Sequence, residues 1–211
     1  MTQNTMKLAT IKSFEVAMIL LMSATLLTTI RSFNTISLNP IDDNIHRLKL
    51  QISSLITFIA SCHYYLIIKA PHKIIAYRYL DWFFTTPLLL IDLCLTYRIF
   101  NSNIIGEILV YNTVMLGFGF LGEIGIINKW LACIAGFIPL IVLYYRIWQN
   151  MEHTENNNKL FWVFTVVWSM YGVIYLLDNE DARNLVYNIL DIISKGGFAS
   201  YLYFSSWHIQ I

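Results

Sequence analysis

A chain of 211 residues that is 57% hydrophobic and only 13% charged is too apolar for an ordinary soluble domain. Its mean hydropathy of +0.57 points to the lipid bilayer as its surroundings. The net charge of +1 leaves no basic surplus for nucleic acid, and no run of like charges marks a tail or linker.

A helix crossing a bilayer needs about 20 mostly apolar residues, and stretches of that length fall at about 13–33, 50–69, 74–97, 104–126, 130–149, 160–178 and 184–206. The first follows Lys7 and Lys12 as the apolar core of a leader would. Met18 to Ile30 has no small-residue cleavage pattern, so it reads as a first membrane helix. The breaks are short, among them "KAPHK", "RIFNSN", "GIINK" and "DNEDAR", which leaves no room for a soluble domain and makes neighbouring helices antiparallel. None of the runs alternates as barrel strands do. The predicted fold is an all-α membrane protein, a seven-transmembrane-helix bundle forming a single domain over residues 1–211. No internal repeat suggests inverted halves. Lys and Arg divide almost evenly between the two sets of loops, so loop charge does not set the orientation. Cys62, Cys94 and Cys133 lie in apolar segments without the spacing of a metal or redox motif and read as small buried hydrophobes.

Ionisable groups inside the apolar spans are costly and mark where a polar interior lies. Most of the seven spans carry no such group at their centre, and the exceptions are His63 in the second span, Arg78, Asp81 and Asp92 in the third, and Asp191 and Lys195 in the seventh. At about 100° per residue, Thr85 sits one turn beyond Asp81, while Asp92 returns to within about 20° of Asp81, roughly 16 Å along the axis. "RYLDWFFTTPLLLID" therefore writes arginine, acid, hydroxyl and a distant acid down one face. Asp191 and Lys195, four apart in "LDIISKGGF", also share a face. One reading is structural, with Arg78 and Lys195 neutralising Asp81 and Asp191 to fix helix register. It leaves Asp92 without a partner, and a lone carboxyl in apolar surroundings holds its proton and suits a proton donor. His63 reads either as a core histidine or as a stabiliser of a nearby carboxylate. Trp82, Trp168, Tyr171 and Tyr175 are either core packing or the walls of a site for a flat apolar ligand.

These motifs resemble the microbial rhodopsins, seven-helix proteins that carry retinal as a Schiff base on a lysine of the last helix. "RYLDWFFTTPLLLID" is close to helix three of bacteriorhodopsin and proteorhodopsin, and "LDIISKGGF" to their helix seven. "WSMYG" resembles the helix-six wall and "VYNTVMLGFGFLG" helix four, while "HYYLII" is similar to proteorhodopsins with a helix-two histidine. The short loops and the richness in Ile, Asn and Tyr resemble rhodopsins of large algal viruses.

The resemblance implies all-trans retinal bound covalently to Lys195. It makes Asp81 primary counterion and proton acceptor, Asp191 second counterion, Arg78 the charge below them and Asp92 the proton donor. Thr85 and His63 would pair with Asp81, and Tyr64 and Tyr171 would hold Asp191. The polyene would be lined by Trp82, Leu89, Met115, Gly119, Trp168 and Tyr175 together with Tyr171, Leu89 favouring green light. Gly172 replaces a proline of the wall and Tyr175 a tryptophan. Glu180 matches one acid of bacteriorhodopsin's proton-release pair, while Arg183 stands in the place of the other.

The implied activity is a light-driven outward proton pump and not an enzyme. The alternatives are a light-gated cation channel and a photosensor. No Asp or Glu lies between Leu50 and Ile68 to line a conducting path, and the 211 residues hold no output domain. The resemblance further implies a homo-oligomer, trimer or pentamer, in a plasma or host-cell membrane with the N-terminus outside.

Overall fold

A computed structural model of the chain describes residues 8–34 and 40–205, with side chains from 44 onward in the second stretch. Lys7 and the last residue of the 184–206 span lie outside the described residues. The helices are α1 (Leu8–Asn34), α2 (Pro40–Lys69), α3 (Ile74–Thr96), α4 (Ser102–Glu123), α5 (Lys129–Asn150), α6 (Glu155–Tyr175), α7 (Glu180–Asp191) and α8 (Phe198–Ser205). A π-helical turn, Ile192–Gly197, joins α7 to α8. Both residues at its ends, Asp191 and Phe198, keep right-handed helical torsions, so α7, the turn and α8 form one rod, the seventh of a seven-helix bundle.

Short polar side chains start four of the helices by accepting from backbone N–H groups that have no partner within the first turn. Asn101 accepts from Asn103, Asn128 from Trp130 and Leu131, Thr154 from Asn157, and Asn179 from Ala182. The turn after α4 closes on Gly125 at φ 75°, a left-handed torsion that glycine adopts without strain. The two loops at the far end of the bundle are tied together, Glu152 N–H donating to the Tyr97 carbonyl at 3.0 Å.

Helix ends follow capping and not hydropathy. α2 begins at Pro40 and not near residue 50, because a proline at the first position is compatible with a helix start and the polar turns after it prolong the helix. By length and hydropathy alone, five described helices qualify as membrane spans. α6 falls short because it opens on "ENNNK", and the seventh rod because it opens on "EDARN" and is interrupted by the π turn.

Large apolar side chains cover the outside at helical spacing, for example Ile134, Ile138 and Ile141 on α5 and Val163 and Val166 on α6. Inside, Leu50, Leu90, Leu93, Leu143, Ile147 and Phe161 pack one half of the core. Phe14, Tyr64, Tyr79, Trp82 and Tyr187 pack the other, more aromatic half. Pro87 lies inside α3, where the hydroxyls of Thr85 and Thr86 donate to the carbonyls of Asp81 and Trp82 at 2.8 and 2.7 Å.

Candidate functional site

Lys195 is buried where the two halves of the core meet, on the π turn. Its Nζ donates to Asp81 Oδ2 on α3 at 2.5 Å and stands 3.4 Å from Asp191 Oδ1 on its own rod. All three side chains are almost fully removed from solvent, so the pair of carboxylates is what makes a buried cation tenable there.

The carboxylates are held differently. Asp191 accepts from Tyr171 Oη at 2.7 Å and Trp82 Nε1 at 3.3 Å on one oxygen. Its other oxygen accepts from Tyr64 Oη at 2.8 Å, with Arg78 at 3.9 Å. Asp81 has Lys195 on Oδ2, and its Oδ1 has no hydrogen-bond partner. A carboxylate whose lone pairs are already engaged is a poor place to put a proton, whereas Asp81 keeps an oxygen open.

Of the two expected partners of Asp81, His63 stands at ion-pair distance and Thr85 is placed otherwise. The Thr85 hydroxyl bonds the Asp81 main-chain carbonyl. His63 Nδ1 stands 3.8 Å from Asp81 Oδ1, beyond hydrogen-bond reach, and lies 2.9 Å from the Ile59 carbonyl. A carbonyl only accepts, so the single Nδ1 proton is spent on the backbone one turn back.

Arg78 donates to Asn188 at 3.0 Å and Asn184 at 3.3 Å and lies over the rings of Phe14, Trp82 and Tyr187. Asn188 continues the network to Ser13 on α1, at 2.7 Å. Sequence reading missed Asn188 and Ser13. The available signal was that Asn188 stands three residues before Asp191, on the same helix face. It also missed Glu123, whose carboxylate takes Arg183 at 2.8 Å. Glu180 lines a small crevice with Arg78, Glu123 and Arg183.

Asp92 is far from this cluster on α3. It is fully buried, and neither carboxyl oxygen has a hydrogen-bond partner.

From Lys195 a mostly apolar cleft runs between α3, α4, α5 and α6. Trp82, Leu89, Met115, Gly119, Trp168 and Tyr175 all line it, with Tyr171 and Asp191 at the lysine end. Phe137 of α5, absent from the expected wall, also lines it and accounts for Gly172: a Cβ there would lie 2.6 Å from the Phe137 ring. A Cβ at Gly119 would lie 3.0 Å from Tyr79 Oη. The cleft is therefore shaped by the absence of side chains at two points and ends on one buried amine. That donor set suits a long apolar molecule with an aldehyde able to condense with the lysine.

The family profile of bacteriorhodopsin-like proteins matches residues 10–209, nearly the whole chain. The chain belongs to this family. It is thus a microbial rhodopsin, an integral multi-pass membrane protein, and the family implies a retinal chromophore. This rhodopsin is 30% identical to the green-light absorbing proteorhodopsin of Gamma-proteobacterium EBAC31A08, over 69% of this chain and 68% of that protein. Among solved structures, viral rhodopsin OLPVRII is similar at 29% identity and a TM-score of 0.86, covering 96% of this rhodopsin and 100% of that chain. Blue light-absorbing proteorhodopsin from Med12 follows at 26% identity and a TM-score of 0.79, covering 95% and 97%. These likenesses carry the fold and the family; the roles of individual residues rest on the geometry above.

Proposed function

We propose that this rhodopsin is a light-driven outward proton pump, with Asp81 as acceptor and Asp92 as donor. The observation that carries the reading is the placement of the two carboxyls on one helix. One touches the Lys195 amine with an oxygen left open, and the other lies sealed on the far side of it.

Bound through Lys195, all-trans retinal would supply the light-absorbing group whose isomerisation reorients the proton-bearing nitrogen. Trp82, Leu89, Met115, Gly119, Trp168 and Tyr175 confine it, and Tyr171 and Tyr64 fix Asp191 so that its charge stays in place. In the dark, Asp81 and Asp191 hold the proton on the Lys195 nitrogen by charge. Light absorbed by the bound group would weaken that hold; the N–H bond then breaks and the proton passes across the Lys195–Asp81 contact to the carboxylate, which has one oxygen free of other donors. The proton on Asp81 then leaves through the polar side of the bundle, where Arg78 bonds Asn188 and Asn184 and stands 3.9 Å from Asp191, and Asp81 is again a carboxylate. Asp92 gives its carboxyl proton to the Lys195 nitrogen and refills from its own end of the bundle. Direction follows from this order, because acceptor and donor lie toward opposite ends of the bundle.

The proteorhodopsin and OLPVRII likenesses are consistent with light-driven ion transport and do not choose the ion. The deciding measurement is the photocurrent of the retinal-loaded protein at several voltages. A pump gives outward current that never reverses near an ion's equilibrium potential, and Asp81→Asn abolishes it. Current that reverses there, and persists in Asp81→Asn, would make this rhodopsin a cation channel.

A further inference from the structure

The α2 helix reaches the end of the bundle where Asp92 lies, and it brings a cation with it. Leu50 is fully buried in the same core cluster as Leu90, Leu93 and Cys94, and α2 packs along α3, the helix that carries Asp92. Lys49, its neighbour, is half-buried there. Among the described residues, Lys49 is the one charged group whose field reaches Asp92, and neither Asp92 oxygen has a hydrogen-bond partner.

The surroundings offer no other countercharge. Arg98, at the turn after α3, acts on Lys49 and is itself paired to Glu152 at 3.2 Å. Other titratable groups at this end are Cys94 on α3, Tyr97 just after it and Tyr201 of α8, which acts on Tyr97. The Tyr97 hydroxyl, like both Asp92 oxygens, is buried without a hydrogen-bond partner. A carboxyl sealed in this way has no means of stabilising the anion left behind when its proton departs.

We propose that Lys49 is a positioning residue for the donor carboxyl: its ammonium, carried on α2 beside the sealed Asp92, stabilises the carboxylate formed when Asp92 loses its proton. This rests on the reading of Asp92 as donor. The O–H bond of Asp92 breaks, the proton goes to the Lys195 nitrogen, and the new carboxylate faces Lys49 until a proton from water at that end restores it. The long, flexible lysine stem lets the ammonium approach only while the negative charge exists. A cation in permanent contact would instead drain the donor in the dark.

The test uses the full chain loaded with all-trans retinal in lipid vesicles, as Lys49→Gln and Lys49→Arg. Flash absorption should show reprotonation of the Lys195 nitrogen slowed by about tenfold in Lys49→Gln, the size of effect one neighbouring charge commonly has on a buried carboxyl. Lys49→Arg should return it to within about twofold. Carbon NMR of the Asp92 carboxyl in the dark, assigned by its loss in Asp92→Asn, should show a displaced resonance in Lys49→Gln. Wild-type kinetics together with an unmoved resonance in Lys49→Gln would overturn the proposal, as would failure of arginine to restore the rate. If Asp92→Asn itself cycles normally, the donor reading fails, and the carboxyl resonance still decides whether Lys49 acts on Asp92.

Discussion

Toward Arg78, the buried charges of this rhodopsin share their partners: Asp191 accepts from Tyr64, Tyr171 and Trp82, and Arg78 reaches Asn184, Asn188 and, through Asn188, Ser13. Toward Asp92, the core is apolar, Leu and Ile side chains packing with Phe161, Phe164 and Phe198, and the Asp92 carboxyl has no hydrogen-bond partner among the described residues. The lysine sits between these halves. A polar network spreads a change of charge over many bonds, so a proton entering it meets little resistance. An apolar seal holds a proton in place until something changes the balance. On the proposed pump reading, the contrast would give the bundle a conducting side and a holding side.

The largest effect should come from removing the junction. Lys195→Ala should abolish the visible absorption band that all-trans retinal gives with the wild-type protein; a band surviving unchanged would show that the cleft binds the chromophore elsewhere. Next, Asp92→Asn should slow reprotonation of the Lys195 nitrogen by about a hundredfold, the lower range of general acid catalysis. Its proton-transfer step to Asp81 should be unaffected. Slowing of both steps alike, measured by flash absorption, would mean that the two halves are not separate. The smallest change is expected for Asn188→Leu, which cuts Arg78 off from Ser13. Leaving part of a buried guanidinium unpaired should cost about 1–3 kcal/mol, read as a lower temperature for loss of the visible band. An unchanged temperature would mean that Asn184 alone suffices for Arg78.

How much of this could be read in the sequence depended on cost. Lys195, Asp191, Asp81, Arg78 and Asp92 announced themselves because a charge inside an apolar span is too expensive to be incidental. Their helix-face geometry then put them in order. Neutral polar residues send no such signal: Asn188 and Ser13 lie 175 positions apart in the chain, and nothing in either neighbourhood foretells their bond. Hydropathy likewise missed the early turns of α2, since polar residues leave the membrane without leaving the helix. His63 was found, but its bond to Ile59 depends on where one ring proton goes, which residue type alone does not fix. Phe137 became visible as a wall only through the space that Gly172 leaves for it.

The π turn around Lys195 carries a mechanical consequence. Its widened hydrogen-bond rings and the consecutive Gly196 and Gly197 make it the most compliant stretch of the seventh rod. A sudden push along the lysine side chain would be absorbed in that stretch as local twist. Asp191, anchored by phenols just before the turn, stays put while the nitrogen four residues on recoils. With the proposed chromophore on Lys195, the rod would work as a spring clamped at one end, able to return the lysine to its starting place without dragging Asp191 along.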